Sequence, residues 1–469
     1  MSLFSPQTIK GLFLPFLLFF FCLIPKTSSA MDFREALLRM TADNQKLAAA
    51  RSSIEQQKAE ERAAKGLYYP QIQVSASWTH MDAPLEVELG AMGTLADTIS
   101  ATFPPLAPVA ARIPRSYPIQ EQDFLKSDLT LSWPVYTGGK ISAANRAARA
   151  NTLLAEQSEE GLHHQMFSEL VRLYYGVRLA DAVIQVRMDV QKGMEKHLQE
   201  AEKLEESGMI SLAERLHARV ALEEARREHQ KALRDAQIAR TALRSLIASR
   251  ETINPSSPLF VYRAIPPLEK FMEKAREQNT MLRQLDQHKN LARAGLQKEK
   301  SAYRPDIFLF GTRALVTDDL TALDPEWAVG AGVRFTLFDG FARPGRVEAA
   351  RATETRVAQL QHQAIMDLET LVESRYQLLM QALEQLDALG ASETLAREHL
   401  RVRTLAFEEG FATSLDVVDA ELALSGVQIA RLQTLFTFDL SLARLLEAAG
   451  STPEFDSYRI RGEKETLVP

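Results

Sequence analysis

Asp416 and Asp419 come nearest to a chemical constellation in this chain. Three positions apart, they share one face of any helix that carries them, and they follow a glycine turn at Gly410. Carboxylates gathered in this way attract cations, repel anions and could bind a divalent ion. The competing reading is that they cap a helix start and face solvent, since acids favour a first turn. Catalysis has no comparable candidates. The nine histidines form no H-E-x-x-H pair, and His163-His164 lies mid-helix without carboxylates at ligand spacing. No G-x-S-x-G, phosphate-cradling or dinucleotide fingerprint occurs. The expectation is a protein with no enzyme activity and no cofactor.

The elements that position the two aspartates belong to an internal repeat. Tyr69-Pro70-Gln71-Ile72 returns as Arg304-Pro305-Asp306-Ile307, and Phe33, Asn44 and Leu47 fall on Leu268, Asn279 and Leu282 at the same offset of 235. Val135-Tyr136-Thr137-Gly138 returns as Leu337-Phe338-Asp339-Gly340 at an offset of 202, as does Glu206-Ser207-Gly208-Met209 in Glu408-Glu409-Gly410-Phe411. Ala218 and Leu233 keep that offset with Ala420 and Leu435. The offsets differ by 33 residues, all between the proline and the next glycine, so one unit occurs twice with one loop of different length. The boundaries read as repeat one over 31–250, a linker over 251–265, repeat two over 266–449 and a tail over 450–469.

Each unit reads as helix, strand, loop, strand, long helix, tight turn, helix. The first helix is expected from Asp32 to Lys65, closed by Pro70. Ile72, Val74, Ala76 and Trp78 then alternate with Gln73, Ser75, Ser77 and Thr79, and Leu129, Leu131, Trp133 and Val135 alternate with Asp128, Thr130 and Ser132. In the second unit, Trp327 to Leu337 alternates similarly, whereas Ile307-Phe308-Leu309-Phe310 is apolar throughout. Alternation over about ten residues suits strands of a membrane barrel. A soluble sheet of four short strands is the plainer alternative. Lys140 to Glu206 has no proline, and the matching stretch from Phe341 to Glu408 has only Pro344 in its opening turn. At 1.5 Å per residue, each would be roughly 100 Å long and must lie against other helices. The shorter helices, Asp32–Lys65 and Leu212–Ser249, together match a long one in length. Two units supply four strands, too few for a barrel that needs about eight. The chain must therefore oligomerise, and three copies would give 12 strands.

These features resemble the outer-membrane factor family, whose best-known member is TolC. The likeness covers residues 32–449. It rests on the Tyr69-Pro70 and Arg304-Pro305 helix exits, on Tyr136-Thr137-Gly138-Gly139 and Phe338-Asp339-Gly340, and on the turns at Gly208 and Gly410. Most specific is Gly410-Phe411-Ala412-Thr413-Ser414-Leu415-Asp416-Val417-Val418-Asp419-Ala420. The resemblance implies a mainly helical protein with a small β part: a homotrimer with a 12-stranded outer-membrane β-barrel above a long periplasmic α-helical barrel. It implies a passive exit duct for efflux or type I secretion, working with an inner-membrane pump and a periplasmic adaptor. Asp416 and Asp419 would then ring the narrow end as a pore constriction. Gly208, Met209, Gly410 and Phe411 resemble adaptor-docking turns, where an apolar residue after the glycine sits exposed at a hairpin tip; glycine alone also suits a positive-φ turn position. The family's best-known member latches its entrance with a tyrosine and an arginine. Phe407 and Ala412 stand at those positions and cannot make such bonds, while Glu214 stands at the acidic partner's position. Glu214 and Phe407 are therefore read as entrance contacts in a closure that rests on packing.

The ends and the balance of charge agree with export. Lys10, the apolar run Gly11–Ile24 and Ser28-Ser29-Ala30 form the three parts of a signal peptide over residues 1–30. That run is shorter than the roughly 20 residues a spanning helix needs. Cys22, the one cysteine, lies inside it behind three phenylalanines, so the processed chain is expected to have no thiol. Removing Lys10 and Lys26 leaves 53 basic and 61 acidic residues, without a basic patch, and nucleic acid is not an expected partner. No later apolar stretch reaches 18 residues, which leaves the periplasm, secretion or a barrel in contact with outer-membrane lipid. Residues 81–124, with six prolines, read as a long connection facing outside the cell. The rival from another class is a soluble periplasmic coiled-coil or adaptor-like protein, which would carry one hairpin and more strands.

Overall fold

A computed structural model describes residues 30–464 except 115, 252, 322 and 323; the signal-peptide reading lies outside the described residues. In chain order the strands are β1 (Ala30–Met31), β2 (Gln71–His80), β3 (Leu85–Glu88), β4 (Ser116–Gln120), β5 (Asp123–Thr137), β6 (Asn254–Pro255), β7 (Phe260–Val261), β8 (Asp306–Ala314), β9 (Trp327–Arg334) and β10 (Glu463–Lys464). The helices are α1 (Phe33–Asp43), α2 (Gln45–Gly66), α3 (Gly90–Thr102), α4 (Ala107–Ala110), α5 (Lys140–Glu206), α6 (Leu212–Leu246), α7 (Leu268–Gln278), α8 (Thr280–Ser301), α9 (Ala342–Glu408), α10 (Ser414–Ala448) and α11 (Phe455–Arg461).

The two long helices, α5 and α9, have 67 residues each, as the proline-free stretches predict. The shorter helices pack along them in pairs, α2 and α6 on α5, α8 and α10 on α9, and α5 also lies against α8 and α10. The first helix differs from its expectation. It breaks at Asn44, whose backbone is extended and whose side chain caps α2 by accepting from the Lys46 and Leu47 amides. The same amide side chain donates 2.9 Å to the Leu246 carbonyl at the end of α6. Asn279 repeats the arrangement, capping α8 and donating to the Ala448 carbonyl at the end of α10. A single asparagine thus satisfies orphan groups at both helix ends it faces.

The four-stranded antiparallel sheet has the order β2-β5-β8-β9. Paired residues share a face, so Ile72 and Val74 line up with Leu131 and Leu129, and Ile307 and Leu309 with Val333 and Ala331. That face is uncovered: Val74, Trp78, Trp327 and Val333 are all about two-thirds exposed. The all-apolar run in β8 resolves into two faces. Phe308 and Phe310 point the other way, each ring lying over a glycine of β9, Gly332 and Gly330, where a Cβ would come within 2.5 and 2.7 Å of the ring. The last strand ends at Arg334, three residues before the alternation does, because its partner β8 begins at Asp306 opposite Arg334. Exposed Tyr68, Tyr69, Tyr136, Tyr303, Phe338 and Phe341 gather where strands meet helices, the position of an interfacial aromatic girdle.

The long connection is built, contrary to a reading as plain loop: β3 pairs with β4, and α3 and α4 stand between them. Its prolines do not oppose this, because Pro104 and Pro108 occupy first-turn positions where no amide is needed. The linker and tail are also structured. β6 pairs with β1 and β7 with β10, and Phe260 and Phe455 join Phe33, Phe167, Tyr174, Tyr175 and Phe438 in a buried aromatic core.

Candidate functional site

The turn ending each hairpin follows from local chemistry. Gly208 and Gly410 both have φ of 76°, a left-handed conformation that costs other residues energy. Around Gly208, the Met209 amide bonds the Leu204 carbonyl and the Gly208 amide bonds Glu205; Phe411 and Gly410 bond Ala406 and Phe407 in the same way. These are Schellman closures. They leave Met209 and Phe411 exposed, at 56% and 87%, as expected for apolar residues at a tip. The tips meet, since the Met209 methyl lies 3.8 Å from where a Cβ of Gly410 would stand.

Asp416 sits in a complete capping box at the start of α10. Its Oδ2 accepts from the Thr413 amide at 2.9 Å and hydroxyl at 2.7 Å, and the Thr413 hydroxyl accepts from the Asp416 amide. These bonds, led by the Thr413 hydroxyl and aided by Arg403, hold its carboxyl below the usual carboxylate range and keep it charged. Arg403 approaches to 3.7 Å. Asp419, one turn on, is exposed and makes no hydrogen bond or ion pair among the described residues. Cap and exposed carboxylate therefore occupy one short stretch.

Phe407, read as an entrance contact, packs inside the chain. It is buried in a small core with Ala201, Ala218 and Val417, and half-buried Ala412 packs on the same cluster. A phenyl ring without a polar handle gains from full burial, which explains its inward position. Its ring centroid is 4.6 Å from that of His197 on α5. Glu214 does join the two hairpins: its Oε2 accepts from the Ser414 backbone amide at 2.8 Å. Ser414 is fully buried, and its hydroxyl lies 2.8 Å from His197 Nε2. The chain thus ties the start of α10 to both α5 and α6.

Three residues of this seam were not found by sequence reasoning: His197, Ser414 and Glu421. Ser414 lay inside the recognised motif, but its partners are 200 and 217 positions away. Gly193 was the available signal for Glu421, because glycine in the middle of a long helix costs stability unless something approaches closely. Here the Glu421 carboxyl lies flat over Gly193, 3.1 to 3.3 Å from where a Cβ would be.

Paired antiparallel hairpins joined to a four-stranded sheet with an uncovered apolar face define an outer-membrane channel class of fold. Solved channels share that architecture. The Campylobacter jejuni CmeC outer membrane channel superposes with a TM-score of 0.71 at 15% identity, over 90% of this chain and 86% of that one. The Vibrio cholerae outer membrane protein VceC gives 0.70 at 17% identity, over 89% and 96%. Among curated sequences, Protein CyaE of Bordetella pertussis is 24% identical over 250 residues, half of this chain. The match spans about half the length of that relative, 52%. The sequence profile of the outer membrane efflux protein family matches residues 37–249 and 271–451, both repeats without the linker, and the chain belongs to that family. Its place is the outer membrane.

Proposed function

We propose that three copies of the chain form a passive exit duct that completes an export route across the envelope, in efflux or type I secretion. The carrying observation is the four-stranded sheet itself. Its outer strands β2 and β9 each have one unpaired edge among the described residues, which a membrane does not tolerate. Pairing β9 of one copy with β2 of the next closes a barrel, and three copies give 12 strands. The helices continue beneath it as a tunnel of roughly 100 Å, set by 67 residues at 1.5 Å each. An inner-membrane pump supplies cargo, and a periplasmic adaptor docks at the tips carrying Gly208, Met209, Gly410 and Phe411. Asp416 and Asp419 line the narrow end, where a threefold arrangement gathers six carboxylates that favour cations.

The test is reconstitution into planar bilayers of heat-modifiable trimers isolated from the outer-membrane fraction. The expected result is a cation-selective channel whose selectivity falls in Asp416→Ala/Asp419→Ala. Recovery of a soluble monomer from the periplasm would overturn the duct. Unchanged selectivity in the double variant would remove the constriction assignment.

A further inference from the structure

The seam between α5 and α10 holds two titratable side chains: buried His197 of α5, and half-buried Glu421 of α10, which sits over Gly193 one turn from His197. His197 is bonded to Ser414 and covered by Phe407. Glu421 is seated on Gly193 and takes no hydrogen bond among the described residues. We propose that His197 and Glu421 are a compensating pair of positioning residues, which keeps the two hairpin tips of a protomer clasped with little dependence on pH. The inference rests on the duct reading above, since the clasp sits at the duct's periplasmic entrance.

The surroundings push the two groups in opposite directions. Burial lowers the His197 imidazole below its ordinary range, and Glu214 on α6 opposes this only in part. Burial raises the Glu421 carboxyl to about 7, helped by Asp189 on α5. Asp189 is itself 3.7 Å from Lys192. Near the tips Arg215 of α6 pairs with Glu205, and Arg403 of α9 with Asp416, with His399 accepting from Arg403, while Asp419 of α10 is exposed without an ion pair among the described residues.

The consequences for closure have opposite signs. A loosened seam returns His197 to about 6.5, so the loosened form takes up a proton first and closure weakens as pH falls below that value. A loosened Glu421 returns from about 7 to 4.5. The closed form then holds its proton more tightly, and closure weakens as pH rises between those values. Each slope reaches at most about tenfold per pH unit. Just below about pH 6.5 the two slopes oppose each other. A protein whose surroundings follow the medium gains an entrance with steady closure.

The experiment uses processed trimers from the outer-membrane fraction, spin-labelled at Met209→Cys and Phe411→Cys. Dipolar broadening reads the fraction of touching tips from pH 5 to 8. Just below about pH 6.5 the parent should vary less steeply than either single variant, because the two slopes oppose each other. Glu421→Gln should open as pH falls, and His197→Gln should open as pH rises, each by up to tenfold per unit. Gly193→Ala displaces the Glu421 carboxyl without changing any titratable group, and should behave like Glu421→Gln. A parent as steep as the single variants, flat single variants, or variants sloping the same way would overturn the pair. Bilayer recordings on the same samples separate the two readings: absence of channels overturns the duct, whereas channels with the wrong slopes overturn only the pair.

Discussion

Tyr174 and Tyr175 are neighbours with opposite fates in the aromatic core. The Tyr174 hydroxyl donates to the Met31 carbonyl at 2.7 Å and accepts from the Ser256 and Ser257 amides, so it pins both chain start and linker to α5. The Tyr175 hydroxyl is buried without a hydrogen-bond partner among the described residues, and the Asp439 carboxyl is fully buried near the Phe260 backbone. Burial raises both groups well above their ordinary ranges, and the Phe260 backbone offsets this only partly for Asp439. Asp439 is therefore held as the neutral acid. Because the folded state keeps that proton more tightly than the unfolded one, stability should fall as pH rises above the ordinary aspartate value, by at most about 1.4 kcal/mol per unit. Asp439→Asn removes the proton exchange while keeping the shape. Its thermal midpoint between pH 5 and 8 should depend less on pH than the parent's, and an unchanged slope would contradict a buried neutral acid. The sequence announced none of this, because an aspartate in a helix reads as a surface residue until its neighbours are known.

The glycine-for-phenylalanine exchange across β8 and β9 decides how the sheet stays thin. Alternation marked three strands clearly, but the run at 307–310 defied a two-residue period because both of its faces are apolar. Only the register explains it: Phe308 and Phe310 need the space that Gly332 and Gly330 leave. Gly332→Ala should displace the Phe308 ring and lower the temperature at which trimers dissociate on seminative gels. Adding Phe308→Ala should restore much of the loss, since overpacking is relieved when one large group is removed. Failure of the second change to rescue the first would mean the ring is not the obstacle. Asn44 and Asn279 show the reverse case. Their equivalence was visible in the repeat, yet the break they cause was not, because helical periodicity continues on both sides and the amide's partners at Leu246 and Ala448 are distant in sequence.

At the scale of the whole molecule, the repeat, the long helices, the four strands and the two turns were all legible, because each rests on short-range pattern or on self-similarity. The built segment between β2 and β5 and the folded tail were not, since prolines and short elements carry weak local signals. The faces of the sheet provide the sharpest test of the membrane assignment. Val74 lies on the uncovered apolar face, and Gln73 on the opposite one. Val74→Arg should sharply reduce the yield of heat-modifiable trimers, at a cost of roughly 2–4 kcal/mol per site near the bilayer midplane. Gln73→Arg should leave assembly close to normal. Equal loss in both would deny that the two faces meet different solvents.

The asparagine breaks also give the wall a mechanical character. In each repeat an unbroken rod, α5 or α9, runs beside a jointed one whose halves meet at Asn44 or Asn279. A rod beside a jointed partner resists stretching along its whole length, but shear between them is concentrated at the joint. Torsion applied at the free tips is thereby absorbed in the lower segment, and the upper segment and its sheet are spared the strain.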